Sequence, residues 1–170
     1  MGILDRFSLQ GRVAVVTGGS GPQFGSSLSE GLAEAGATVI CASRSLEANE
    51  KFAKGLTDKG YDAHAMTVDI TDADSIQRLG EQVHERFGDV DVLVNSAVVA
   101  RGGSFEEQTP EYWEFSASGN MVGLFAMSKA FLPAMAARGS GSIINISSIY
   151  GVVANDPSLY EGTDMKQPPD

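Results

Sequence analysis

Short apolar runs at 13–16, 38–42, 63–68, 90–94 and 142–146 are separated by longer segments whose apolar residues recur at helical spacing. Each run is too short for a helix and too continuous for a strand with one wet face, so it reads as a strand buried on both sides. Strands of this kind alternating with helices predict an α/β domain with a parallel sheet covered on both faces.

The helices carry their own boundary signals. The first spans about 24–35, with Leu28 and Leu32 at helical spacing and Gly36 as its stop. A second covers about 46–59. The third opens on Thr71-Asp72-Ala73-Asp74, which has the form of a capping box, continues through an apolar stripe of Ile76, Leu79, Val83 and Phe87, and ends at Gly88. The fourth is capped by Thr109 with Pro110 at its first position, and runs through Met121, Leu124, Phe125, Ser128 and Leu132 to about Gly139. Pro133 is expected to end or bend its last turn. No internal repeat is visible, and 152–170 reads as an inserted or flexible loop.

Length and composition then narrow the class. A chain of 170 residues with 42% hydrophobic and 20% charged residues suits one domain, taken as 1–170. No apolar run approaches a membrane span and no secretory signal is visible, which gives a cytoplasmic expectation. The net charge of −10 argues against nucleic acid or an anionic membrane as partner. Cys41, the single cysteine, reads as a buried strand residue; His64 and His84 read as surface residues, and no metal site is expected.

Candidate chemistry begins where the first strand meets Thr17-Gly18-Gly19-Ser20-Gly21-Pro22-Gln23-Phe24-Gly25. Glycines between a buried strand and a helix N-terminus let backbone N–H groups approach a pyrophosphate. Further on stand Ala42-Ser43-Arg44, Val68-Asp69-Ile70, Asn95-Ser96-Ala97-Val98, Asn120-x-x-Gly123-x-Phe125 and Ser147-Ser148, in that order. Together these landmarks resemble the short-chain dehydrogenase/reductase family over nearly the whole chain. The turn departs from the family's Thr-Gly-x-x-x-Gly-x-Gly by one extra residue, and Ser96 and Val98 replace the usual Asn and Gly.

The resemblance implies a Rossmann-type, doubly wound parallel sheet in three α/β/α layers, here incomplete at the C-terminal end. It implies a dinucleotide lying along Thr17, Gly18, Ser20, Phe24 and Gly25 of the turn, Ser43 and Arg44, Asp69 and Ile70, and Asn95 and Ala97. Ser43 stands where an NAD-selective site places a carboxylate, and Arg44 suits a 2′-phosphate, so NADP is favoured over NAD. Asp69 is implied to bond the adenine amino group, with loop capping as the alternative. Asn95 is implied to tie neighbouring strands. Ser148 matches the family's catalytic serine, and Asn120 its helical asparagine, which supports a proton-relay water beside a distortion at Gly119.

The family's Tyr-x-x-x-Lys does not occur in the chain. There, the lysine makes the phenol a usable acid/base near neutrality. Tyr160 follows Ser148 at a suitable distance, but the residue four further on is Asp164, and Lys166 is six further on. Tyr160 is thus a weak substitute. The chain reads as an amino-terminal portion that is inactive alone, with the tyrosine and lysine expected after Asp170. The expected activity is hydride transfer between a nicotinamide and a small carbonyl or alcohol, with homo-oligomers expected for the complete protein. A non-catalytic dinucleotide-binding or interaction protein is the alternative. A methyltransferase-type nucleotide fold is disfavoured by Thr17, where an acidic residue is usual.

Overall fold

A computed structural model describes residues 2–100, 105–154 and 156–163. Five strands, β1 (Val13–Thr17), β2 (Thr38–Ser43), β3 (Ala63–Thr67), β4 (Val92–Asn95) and β5 (Ser142–Asn145), form one parallel sheet in the order β3-β2-β1-β4-β5. The helices are α1 (Gly25–Glu34), α2 (Leu46–Thr57), α3 (Ala73–Phe87), α4 (Pro110–Ala117) and α5 (Leu124–Arg138), the last two joined by a π-helical segment, Ser118–Gly123.

Alternation along each strand divides the core in two. Val15, Ile40, Ala42, Met66 and Leu93 point to one face and meet Ile76, Leu79 and Val83 of α3 and Met127, Phe131 and Met135 of α5. Ala14, Val16, Val39, Cys41, Val92 and Val94 point to the other and meet Ala33 of α1 and Ala53 and Leu56 of α2. The outcome is the three-layer, doubly wound sheet. Each fully buried Val or Leu contributes about 1.5–3 kcal/mol, so these two clusters supply the main driving force. Cys41 is buried as expected, and burial pushes its thiol pKa up.

Helix ends follow local chemistry, with two departures from expectation. The cap of α3 is Asp72, whose carboxylate accepts from the Asp74 N–H at 2.9 Å, and not Thr71, whose hydroxyl turns back to Asp69. Pro133 lies inside α5 and does not end it: the helix continues to Arg138, whose guanidinium donates to the Val90 carbonyl at 2.9 Å and pairs with Asp89 at 3.1 Å. That anchoring, with Met135 buried, offsets the N–H that proline lacks. His64 is half-buried, its ring centroid 4.6 Å from that of Phe87, because β3 is the outer strand and α3 reaches its edge.

Among the described residues the stretch Pro110–Arg138 is long and apolar enough, by length and composition, to cross a membrane, which the run-by-run reading of the sequence did not anticipate. In this fold it belongs to one helical layer, packed on α3 and on β4 and β5 through Met127, Phe131 and Met135, with most of the stretch left exposed.

Candidate functional site

The strand order reverses direction between β1 and β4, and the carboxyl ends of these two strands define the crevice where ligands of open α/β sheets bind. Thr17 fastens its rim. The Thr17 hydroxyl oxygen accepts from the N–H groups of Ser96 and Ala97, both at 3.0 Å, so the β1 turn and the chain leaving β4 run side by side.

The glycine turn is closed on itself. Gly18 has φ +67°, and its carbonyl accepts from Gly21 N–H at 2.8 Å; the Gly21 carbonyl in turn accepts from Ser26 N–H at 3.0 Å. A Cβ on Gly25 would stand 1.9 Å from the Gly18 carbonyl oxygen, and one on Gly19 would stand 2.8 Å from the Val16 carbonyl oxygen. These backbones touch at a distance only glycine allows. Phe24, just before α1, is exposed.

At the end of β2 lies a network that the sequence reading missed. Asn49 of α2 is fully buried; its Oδ1 accepts from Ser20 Oγ at 2.6 Å and from Ser43 Oγ at 2.7 Å. Its Nδ2 donates to the carbonyls of Met66 at 2.7 Å and Ser43 at 3.3 Å. One side chain thus joins the glycine turn, β2 and β3. Arg44, next to Ser43, is exposed.

Asp69 closes the crevice beyond β3. Its carboxylate accepts from the Thr71 hydroxyl at 2.7 Å and the Thr71 N–H at 2.9 Å, and these bonds, with the positive charge of Arg44, hold its pKa below the usual carboxylate range. Loop capping, the alternative role, is therefore present in the geometry. Because the folded pKa is lower than the unfolded one, the contribution to stability is full above the usual value of about 4 and falls away as pH drops through the folded value. Asp69→Asn is expected to flatten the acid limb of a thermal-midpoint profile between about pH 5 and pH 2. An unchanged acid limb would show that the carboxylate contributes nothing. Ile70 packs beside the core, and its carbonyl lies where a Cβ on Gly123 would be 2.1 Å away.

Asn95 and Asn120 hold the other wall. Asn95 Nδ2 donates to Asn145 Oδ1 at 2.9 Å, linking β4 to β5, while its buried Oδ1 has no hydrogen-bond partner among the described residues. Asn120 lies in the π segment beside Gly119, whose Cβ would stand 2.3 Å from Val99. Gly119 thus serves close approach as well as distortion. Asn120 clamps Val99 on both sides: Oδ1 accepts from its N–H at 2.8 Å, and Nδ2 donates to its carbonyl at 2.8 Å and to Ser116 Oγ at 3.1 Å. Both amide protons are engaged, so the side chain fixes the wall.

Ser148, past β5, caps the short turn Ile149–Gly151 by accepting from Tyr150 N–H at 3.2 Å. Tyr160 ends the short helical turn Pro157–Tyr160, and its hydroxyl hydrogen-bonds that of Tyr150. Asn155, Asp164, Lys166 and Asp170 lie outside the described residues, and with Asp170 so does the point after which the tyrosine and lysine are expected. No group of three metal-ligating side chains occurs among the described residues.

The crevice fits a dinucleotide by its own chemistry: a turn too tight for any Cβ at Gly25, a buried Asn95 oxygen with no partner among the described residues, and hydroxyls and a guanidinium at the end of β2. Comparison with known proteins agrees. The model of the short chain dehydrogenase family matches residues 12–160. The 3-oxoacyl-[acyl-carrier-protein] reductase of Haemophilus influenzae is 35% identical over 147 residues, 86% of this chain and 59% of that protein. Galactitol 2-dehydrogenase of Rhizobium johnstonii is 34% identical over 158 residues, 92% of this chain and 61% of that protein. The crystal structure of a gluconate 5-dehydrogenase from Burkholderia cenocepacia, in complex with NADP and tartrate, superposes with a TM-score of 0.82 at 33% identity, covering 91% of this chain and 60% of that one. The chain spans about three-fifths of the length of these relatives. With the family model matched over residues 12–160 and the fold shared with these relatives, the chain belongs to the short-chain dehydrogenase family of oxidoreductases.

Proposed function

We propose that this chain forms the nucleotide-binding part of an NADP-dependent oxidoreductase that interconverts a small carbonyl and its alcohol. The observation that carries the NADP reading is the end of β2, where Ser43 and the exposed Arg44 stand in place of a carboxylate. When bound, the nicotinamide supplies or accepts the hydride.

The chain's own residues divide the remaining work. The Gly18–Gly25 turn offers backbone N–H groups and a helix N-terminus to the pyrophosphate. Thr17 and Asn120 fix the backbone at 96–99 as a wall of the crevice. Ser148 keeps its hydroxyl proton while accepting from Tyr150, so it can donate to a substrate oxygen on which charge develops. This reading does not assign the acid/base of the reaction to Tyr160, which has Asp164 four residues on where the family's pair has a lysine. In this reading it is a tyrosine beyond Asp170, in the two-fifths of the relatives' length that the chain does not span. Two relatives named for hydroxylated compounds agree with a sugar-like or other polar carbonyl as substrate. A net charge of −10 leaves nucleic acid and anionic membranes outside this reading.

Fluorescence titration with NADPH and NADH tests it. NADPH is expected to bind about tenfold more tightly, and Arg44→Ala to remove that difference, since a charge-assisted arginine–phosphate bond is worth about 1.5–3 kcal/mol. The 170-residue chain is expected to bind without reducing carbonyls. Equal affinities in the unsubstituted chain would refute the NADP assignment, and ordinary turnover would refute the assignment of the acid/base outside it.

A further inference from the structure

We propose that Asn49 is a positioning residue that withholds the hydroxyl protons of Ser20 and Ser43 from the ligand, so that Arg44 alone selects for a 2′-phosphate. The inference rests on the dinucleotide reading above and adds to it a division of labour among four residues.

The argument starts from the two carbonyls. Met66 O, at 2.7 Å, and Ser43 O, at 3.3 Å, can only accept, so the atom of Asn49 that faces them must be the amide nitrogen. The carbonyl oxygen Oδ1 therefore faces Ser20 and Ser43, and this oxygen can only accept. Each serine hydroxyl carries one proton, and at 2.6 and 2.7 Å both protons are directed at Oδ1. All four hydrogen-bonding positions of the buried amide are then filled. Releasing either serine would leave a lone pair of Oδ1 unsatisfied in a side chain that is 0% exposed.

What Ser20 and Ser43 present to a ligand is consequently lone pairs alone. Lone pairs suit a ribose hydroxyl, which donates. They oppose a phosphate dianion, which also only accepts. Two serines at the lip of a nucleotide site look like phosphate ligands in the sequence; the network makes them acceptors. Arg44 lies beside them at the strand end, exposed and near enough to Asp69 for its charge to lower that carboxyl's pKa, and it is the one group of the four that brings protons to a phosphate.

The test measures dissociation constants for NADPH and NADH by fluorescence titration of the 170-residue chain and its Ser43→Ala, Ser20→Ala and Asn49→Ala variants. Both serine variants are expected to leave NADPH affinity within about twofold and to weaken NADH several-fold, because an acceptor for a ribose hydroxyl is lost. Asn49→Ala frees both hydroxyl protons, so the preference for NADPH over NADH is expected to rise several-fold, whatever the overall change in stability. A merely structural Asn49 would weaken the two nucleotides equally, and that result overturns the proposal. So does a tenfold or larger loss of NADPH affinity in Ser43→Ala with NADH unchanged. If Asn49→Ala does not fold, the serine variants decide alone. Failure of the unsubstituted chain to bind either nucleotide overturns the dinucleotide reading and this proposal with it, whereas tight binding with equal losses overturns only the role of Asn49.

Discussion

Gly25→Ala is expected to abolish dinucleotide binding while leaving most of the helical content in place. The added methyl would sit 1.9 Å from the Gly18 carbonyl oxygen, 2.8 Å from its carbon and 3.3 Å from Gly19 Cα. All three are backbone atoms, so no side chain can swing aside. Relief requires the turn to open, which separates the Gly18 carbonyl from Gly21 N–H and the Gly21 carbonyl from Ser26 N–H. Overpacking of this kind costs about 1–3 kcal/mol, and the backbone N–H groups proposed to meet the pyrophosphate are displaced at the same time. Affinity for NADPH is expected to fall at least a hundredfold, roughly 2.7 kcal/mol, with a lower thermal midpoint. Gly31→Ala is the control. Nothing lies within 4 Å of its Cβ position on α1, so this variant should bind normally and gain up to about 1 kcal/mol from helix propensity. Titration beside circular dichroism checks both; Gly25→Ala binding within about twofold of the unsubstituted chain would remove the turn from the site.

The fold was legible because its signals are local. Continuous apolar runs gave all five strands, and the Ile76, Leu79, Val83 stripe gave the buried face of α3. The Thr109 cap and the Gly88 and Gly139 stops were readable for the same reason. What failed depended on which neighbour each side chain meets in the folded chain, which spacing alone does not fix. Thr71 looks like a cap until Asp69 claims its hydroxyl, and Pro133 looks like a stop until Arg138 and Asp89 secure the turn beyond it. Asn49 gave no sign at all. It sits on a helix with polar neighbours Glu47, Glu50 and Lys51, and its burial follows only from where Ser20, Ser43 and Met66 meet in space. Asn120 was recognised by its motif, and Ser116 lies one helical turn before it, yet the contact with Val99 could not be inferred from spacing.

The 170-residue chain alone is expected to self-associate in solution. β5 pairs with β4 on one side and with no other strand among the described residues, so its second edge presents a row of unpaired backbone groups. Its side chains add to the effect: Ile144 is 42% exposed, on the face whose helices α1 and α2 cover the sheet farther away. Along the helical stretch, Met121, Val122, Phe125 and Leu132 are each at least half exposed, as is Ile149 beyond β5. Exposed apolar side chains of this number and size mark surfaces through which proteins associate. Two modes of association are thus available, strand pairing along the β5 edge and burial of the α5 face, and charge separates them. Ile144→Lys places an ammonium beside the edge and should suppress strand pairing, whereas Phe125→Lys should suppress the helical contact. Light scattering after size exclusion, over a concentration series from about 1 to 100 μM, should show mass rising with concentration for the unsubstituted chain and falling toward the monomer in the variant that blocks the dominant mode. A monodisperse monomer across that range would mean that neither surface drives association.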